Sequence, residues 1–220
     1  MKRVINKGIM SGIAVFILGI VVQSDPAFAD SIGLDSSCLT CQGSIYTLTY
    51  DGVALTDSDP LHETFRITLD IDTSGYTGGG TAIDAAAIKV SSSVFDVSLF
   101  DAPNGTISWN IVDGGINASG CSGSGSGFEC ADWIATGVGI GVGGTLDWTF
   151  DITINNGTLF TDPLEASIKA RYVGDNGIKV GALVSENITL QQQVPEPSTL
   201  LLLGSGLAGL GLWRRFKLRN

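Results

Sequence analysis

The chain has 220 residues, enough for one domain with a full core plus terminal segments, and a formal net charge of −10. Basic residues gather at the ends (Lys2, Arg3, Lys7; Arg214, Arg215, Lys217, Arg219), so the stretch from Asp30 to Val194 holds a net charge of about −15. Such an acidic segment repels phosphate backbones, which excludes nucleic acid as a partner. With 30 glycines and only 15% charged residues, the composition suits short strands joined by turns.

Residues 1–29 read as a signal peptide. Lys2, Arg3 and Lys7 form a basic start, an uncharged apolar run extends from Gly8 to Val22, and Ala27-Phe28-Ala29 has the small-x-small form that signal peptidase accepts. Asp30 is then the expected first residue of the mature chain. Asp25-Pro26 breaks any helix just before the cut.

From Asp30 to Leu190 the pattern is period-two alternation punctuated by turn residues. Ser44–Tyr50 places Tyr46, Leu48 and Tyr50 on one face, and Asp51-Gly52 is expected to turn the chain. In Phe65–Asp72 the residues Phe65, Ile67, Leu69 and Ile71 alternate with Arg66, Thr68, Asp70 and Asp72, a half-buried antiparallel strand. Ala82–Ala87 is expected to make a helical turn. Further strands are expected at 87–90, 94–100, 106–112, 133–140, 146–154, 166–172, 179–184 and 188–190. Asn104-Gly105, Asn156-Gly157 and Asn176-Gly177 supply turns. The fold expected is all-β, an antiparallel, jelly-roll-like β-sandwich over residues 30–190, followed by a short polar linker at 191–194.

Four cysteines, Cys38, Cys41, Cys121 and Cys130, are an even set suited to an oxidising compartment. The local pairing Cys38–Cys41 with Cys121–Cys130 is preferred, while cross-pairing stays open. Zinc is disfavoured, because the second pair is too widely spaced for a zinc ribbon. His62 is the only histidine. It sits between strands without a nucleophile elbow, and Gly123-Ser-Gly-Ser-Gly127 lies inside a cysteine-bounded loop, so a serine triad is not expected. Acid pairs are plentiful. Asp70 and Asp72 point to one face about 7 Å apart, a spacing that fits a glycosidase pair and equally an ordinary solvated face. Asp57-x-Asp59 is the one candidate for Ca²⁺, without the EF-hand pattern; no other cofactor or metal is expected. Trp109, Trp133 and Trp148, with Tyr46, Tyr50, Tyr76 and Tyr172, make either a sugar-stacking platform on one sheet face or core filling.

The far end reads Val194-Pro-Glu-Pro-Ser-Thr, an uncharged run from Leu200 to Trp213, then Arg214-Arg215-Phe-Lys-Leu-Arg-Asn220. Pro195 and Pro197 stop any helix before them, and Ser198 or Thr199 can cap one that starts there. From Ser198 to Leu218 a helix spans roughly 31 Å, a bilayer core, with Trp213 at the interface and Arg214 and Arg215 held in the cytoplasm. This order of Pro195-Glu196-Pro197, apolar helix and Arg214-Arg215 resembles the PEP-CTERM sorting signal of exopolysaccharide-producing Gram-negative bacteria. The resemblance implies recognition and cleavage near Pro195, Glu196 and Pro197 by an exosortase, a multipass membrane cysteine protease. It implies a route from inner membrane to cell surface or matrix, and does not assign an activity. The run Leu146–Ile154 followed by 166–190 is also similar to exported PEP-CTERM proteins. The expectation is a non-enzymatic surface or matrix protein associated with exopolysaccharide. The alternatives are a carbohydrate-binding module or, third, a secreted hydrolase using paired acids.

Overall fold

The computed structural model describes residues 28–32, 38–55, 61–90, 94–123, 127–155, 157, 159–160 and 166–188. The apolar leader with Ala27, the Asp57–Asp59 pair and everything from residue 189 onward, including Pro195, Glu196, Pro197, Arg214 and Arg215, lie outside the described residues.

The described residues form antiparallel β-structure. The strands are β1 (Phe28–Ile32), β2 (Ile45–Ala54), β3 (Glu63–Asp72), β4 (Ala82–Lys89), β5 (Val94–Asp101), β6 (Trp109–Asp113), β7 (Gly115–Asn117), β8 (Gly120–Gly123), β9 (Phe128–Trp133), β10 (Ile140–Gly141), β11 (Thr145–Ile154), β12 (Ser167–Val173) and β13 (Val184–Asn187). One sheet has the order β1-β2-β3-β11-β5. The other runs β13-β12-β4-β9-β6, with β10 also pairing β4, and β7 and β8 form a separate hairpin. The chain alternates between the two large sheets from β3 to β6, and again from β9 through β11 to β12.

Alternation explains why the sheets stack. Phe65, Ile67, Leu69 and Ile71 of β3 are buried, as are Leu146, Trp148, Phe150, Ile152 and Ile154 of β11. They join Ile83, Ala86, Ile88, Ile168, Ala170 and Tyr172 of the second sheet in one core. A chain of hydroxyls crosses that core: Tyr46 Oη of β2 lies 2.7 Å from Tyr172 Oη of β12, and Ser44 Oγ lies 2.9 Å from the same oxygen. Burial pushes both phenols above their ordinary range, so they stay protonated and the chain stays hydrogen-bonded.

Several expectations are corrected. The tryptophans form no surface platform. Trp148 has no solvent exposure, Trp109 is buried, and Trp109 meets Trp148 and Trp133 edge-on at 5.3 and 5.1 Å. Trp109 of β6 donates from Nε1 to the carbonyl of Pro103 at 2.7 Å, so it is anchored as well as packed. Tyr46, Tyr50 and Tyr172 are buried, and half-buried Tyr76 stacks on Tyr172 at 4.3 Å. Asp51-Gly52 does not end β2. Tyr50 pairs with Ile67 and Ala54 with Phe65, so two extra residues bulge there, and Gly52 supplies a φ of 73°. Ala82–Ala87 is strand, not helix: β4 lies between β12 and β9, and burial on both faces outweighs the helical preference of alanine. The strand expected at 133–140 lies instead at 128–133, because the chain then bends through Gly137 and Gly139, both at positive φ.

Both cysteine pairs are local: Cys38 with Cys41, and Cys121 of β8 with Cys130 of β9. The second pins the β7–β8 hairpin against the outer face of the second sheet, where Ile116, Cys121, Phe128, Cys130, Ala85 and Ala87 make a small separate core. Replacing Cys121 and Cys130 together by Ser is expected to lower unfolding free energy by roughly 2–3 kcal/mol. Urea denaturation of the oxidised protein and the double variant gives the difference, and equal midpoints would remove the bridge as a brace.

Candidate functional site

The pairing of β3 with β11 writes a pattern on the outer face of the first sheet. Thr64 stands opposite Thr153, Arg66 opposite Asp151, Thr68 opposite Thr149 and Asp70 opposite Asp147. The threonine hydroxyls bond across the strands, at 2.9 Å for Thr64–Thr153 and 3.1 Å for Thr68–Thr149. Arg66 holds Asp151 with two bonds, Nε to Oδ1 at 2.7 Å and Nη2 to Oδ2 at 2.8 Å.

Edge strand β5 adds aromatics to this polar surface. It pairs with β11 through two bulges, one between Asp96 and Val94 and one between Asp101 and Leu99. The extra residues are Phe95 and Phe100. In unbroken alternation Phe95 would share the inward face with Val97 and Leu99; the bulge turns it out. Phe95 is 61% and Phe100 59% exposed. The Arg66 guanidinium lies 3.3 Å from the centre of the Phe100 ring, and the His62 ring stacks on Phe95 at 4.1 Å and 30°. His62, expected as a bare loop residue, is thus packed against an aromatic partner.

Asp70 faces Asp147 directly rather than working with Asp72. Partial burial, then the Asp147 charge, raise its pKa from the ordinary carboxylate value. Asp72 is instead turned to Ser74, whose hydroxyl first and backbone N–H second, the latter at 2.9 Å, lower its pKa. Among the described residues no group of three acidic, His or Cys side chains converges to hold a metal ion.

A second charged cluster lies under the β7–β8 hairpin. Ala85 pairs with Arg171 but Ile83 with Tyr172, so Asp84 is the extra residue of a bulge. Its Oδ2 lies 3.2 Å from Arg171 Nη1, and Arg171 Nη2 donates to the carbonyl of Gly177 at 3.3 Å. Asp132 stands beside Ala85 in the neighbouring strand. The hairpin approaches here at Gly120, where φ is +123° and a Cβ would sit 3.2 Å from both Arg171 Nη1 and Asp132 Oδ1, so a side chain there would be strained and would press on both charged groups. Burial pushes Asp84 up to about 6 against the opposing pull of Arg171, and Asp132 adds to the rise. Glu129, buried in β9 with Asp113 opposite it in β6, is pushed up to about 7, first by burial and then by that charge.

Spacing alone suggested Asp70 with Asp72, and only the β3–β11 register brings Asp147 opposite Asp70. Spacing likewise passed over Phe95, whose orientation depends on a bulge, and Phe100, which alternation with Val97 and Leu99 already turns outward. The one available signal was apolar residues at adjacent or odd positions of an otherwise alternating strand.

The family model for the PEP-CTERM protein-sorting motif matches residues 193–215. The chain carries a PEP-CTERM sorting signal. The match takes in Pro195-Glu196-Pro197, the apolar run and Arg214-Arg215, so the PEP-CTERM segment spans all three parts read from the sequence. It marks an exported protein handled by an exosortase. No curated protein and no solved structure matches the chain.

Two expected outcomes follow from the acids. Asp70→Asn removes the like-charge contact with Asp147 and should raise stability at pH 7 by ~0.2–1 kcal/mol, read by thermal or urea unfolding; a loss of stability there would mean the carboxylate has a favourable partner. Glu129 has a folded pKa above its unfolded one, so its neutral form is favoured in the fold. Its contribution is fully present below pH 4.5 and is lost as pH rises toward 7. Glu129→Gln should therefore stabilise the protein at pH 8 by ~1–2 kcal/mol, after allowance for partial solvation, and leave it unchanged at pH 4. An equal effect at both pH values would show that charge is not the cause.

Proposed function

We propose that this chain is a non-enzymatic cell-surface or matrix protein of a Gram-negative bacterium. The leader at 1–29 exports it, signal peptidase cuts after Ala29 and so leaves Asp30–Ile32 of β1 paired with β2, the helix at 198–218 holds it in the inner membrane, and an exosortase releases it near Pro195–Pro197. The observation that carries this reading is the sorting motif at 193–215. The domain it delivers supports a structural role in the exopolysaccharide: a disulfide-braced sandwich, strongly acidic in sequence, with a threonine-rich sheet face.

A carbohydrate-binding module is the second reading, and the exposed rings of Phe95 and Phe100 on a polar sheet face favour it. Hydrolysis ranks third, since Asp70 stands directly opposite Asp147 and the pairing follows from the strand register alone.

Mass spectrometry of the protein from its host, with and without the exosortase, tests the handling. Trimming near Pro195–Pro197 only when the enzyme is present is the expected result. Retention of the tail to Asn220 in both strains would make the protein a simple membrane-anchored one. Fractionation of the same cultures should place the trimmed form with the extracellular polysaccharide, and an even spread through the medium would remove the matrix role.

A further inference from the structure

We propose that the outer face of the β1-β2-β3-β11-β5 sheet is a binding face for an uncharged polysaccharide, with Phe95 and Phe100 as its two stacking rings. The inference rests on the surface role proposed above and names the site and ligand class within it.

Both irregularities in β5 fall on an aromatic residue that lies on the solvent side: the first turns Phe95 out of the inward set, and Phe100 faces out in alternation with Val97 and Leu99. A ring exposed by accident is free to rotate; these two are backed. Arg66 lies on one face of the Phe100 ring, and is itself fixed by the fork to Asp151. His62 stacks on Phe95. Each ring therefore keeps exposed surface while its orientation is set beforehand, which lowers the ordering cost of binding.

The spacing fits an extended polymer. Phe95 sits level with residues 153–154 of β11 and Phe100 with residues 149–150, a separation of roughly 13 Å along the strand. That is too far for one sugar ring to touch both, and suits two rings of one chain. Short side chains pave the neighbouring strands: Ser98 between the phenylalanines, then Thr153, then Thr64 and Thr68. They leave the surface low and offer hydroxyls that both donate and accept, which matches a polyol.

Charge chooses the class of polymer. Asp96 and Asp101 are exposed on β5, and Asp70, Asp72 and Asp147 stand on the same sheet face. The guanidinium of Arg66 is already occupied by Asp151. A polyanion would meet this negative field at a disadvantage, whereas a neutral chain stacks its C–H faces on the rings without that penalty.

Affinity electrophoresis of the exported protein, in gels containing hydroxyethylcellulose, galactomannan, pullulan or alginate, tests the proposal. At least one neutral polymer should retard the protein. Phe95→Ala and Phe100→Ala should each weaken that binding by about tenfold, and the double variant should abolish it. Phe100→Trp should keep it, and Ile178→Ala, an exposed apolar residue on the turn after β12, should change nothing. No retardation by any neutral polymer, retardation by alginate alone, or a double variant that binds as well as the parent would each overturn the proposal. So would a sedimentation shift from dimer to monomer in the double variant with no effect on glycan, since the rings would then be a contact between copies. Loss of glycan binding with exosortase trimming and matrix location intact would sink this inference alone and leave the broader role standing.

Discussion

One register governs this molecule: the ten-residue antiparallel pairing of β3 with β11, from Glu63 opposite Ile154 to Asp72 opposite Thr145. Inward it supplies Phe65, Ile67, Leu69 and Ile71 together with Trp148, Phe150 and Ile152, the bulk of one sheet's share of the core. Outward it aligns Thr with Thr, Arg66 with Asp151, and Asp70 with Asp147. A slip of one residue would send every apolar side chain to solvent. A slip of two would keep the core face apolar but break the Arg66–Asp151 fork and both threonine bonds. The outer face thus selects among registers that the core alone leaves close in energy. Asp70 against Asp147 is the one pair that works against this register, and its cost is small beside the apolar area the pairing buries.

The second sheet solves a different problem. Its central strand β4 is buried on both faces, by the core on one side and by the β7–β8 hairpin on the other. Ala85 and Ala87 present little bulk to the hairpin, so it can lie close, and Gly120 allows the same closeness over Arg171. The bulge at Asp84 then turns an acid toward that guanidinium within a poorly solvated layer. The two outer faces differ accordingly: one is open, polar and studded with aromatics, the other is capped and gathers Asp84, Asp132 and Arg171 beneath the hairpin.

What the sequence made legible was whatever depends on local order. Alternation in 65–72 and 146–154 marked the two central strands and their inward residues, and the tripartite tail was readable because its parts follow one another along the chain. What it hid depends on neighbours far away. Asp51-Gly52 has the chemistry of a hairpin turn, and only the continued pairing of β2 with β3 makes it a bulge. Ala82–Ala87 has helical composition, and only its place between β12 and β9 makes it a strand. Trp109, Trp133 and Trp148 carried no sign of which side they face, and the sandwich puts them edge to edge across its interior. The outward turn of Phe95 was illegible for the same reason, since a bulge exists only relative to the strand it fails to match.

The cysteine bridges join residues 3 and 9 positions apart, whereas β3 and β11 meet across some 80 residues of chain. Short loops close far sooner than long ones, so oxidation is able to finish while the chain is still emerging on the far side of the membrane. Neither bridge can trap a wrong partnership between distant strands, because neither links them. The protein consequently has little need of disulfide shuffling by an isomerase, and its slow step is left to the assembly of the sheets themselves.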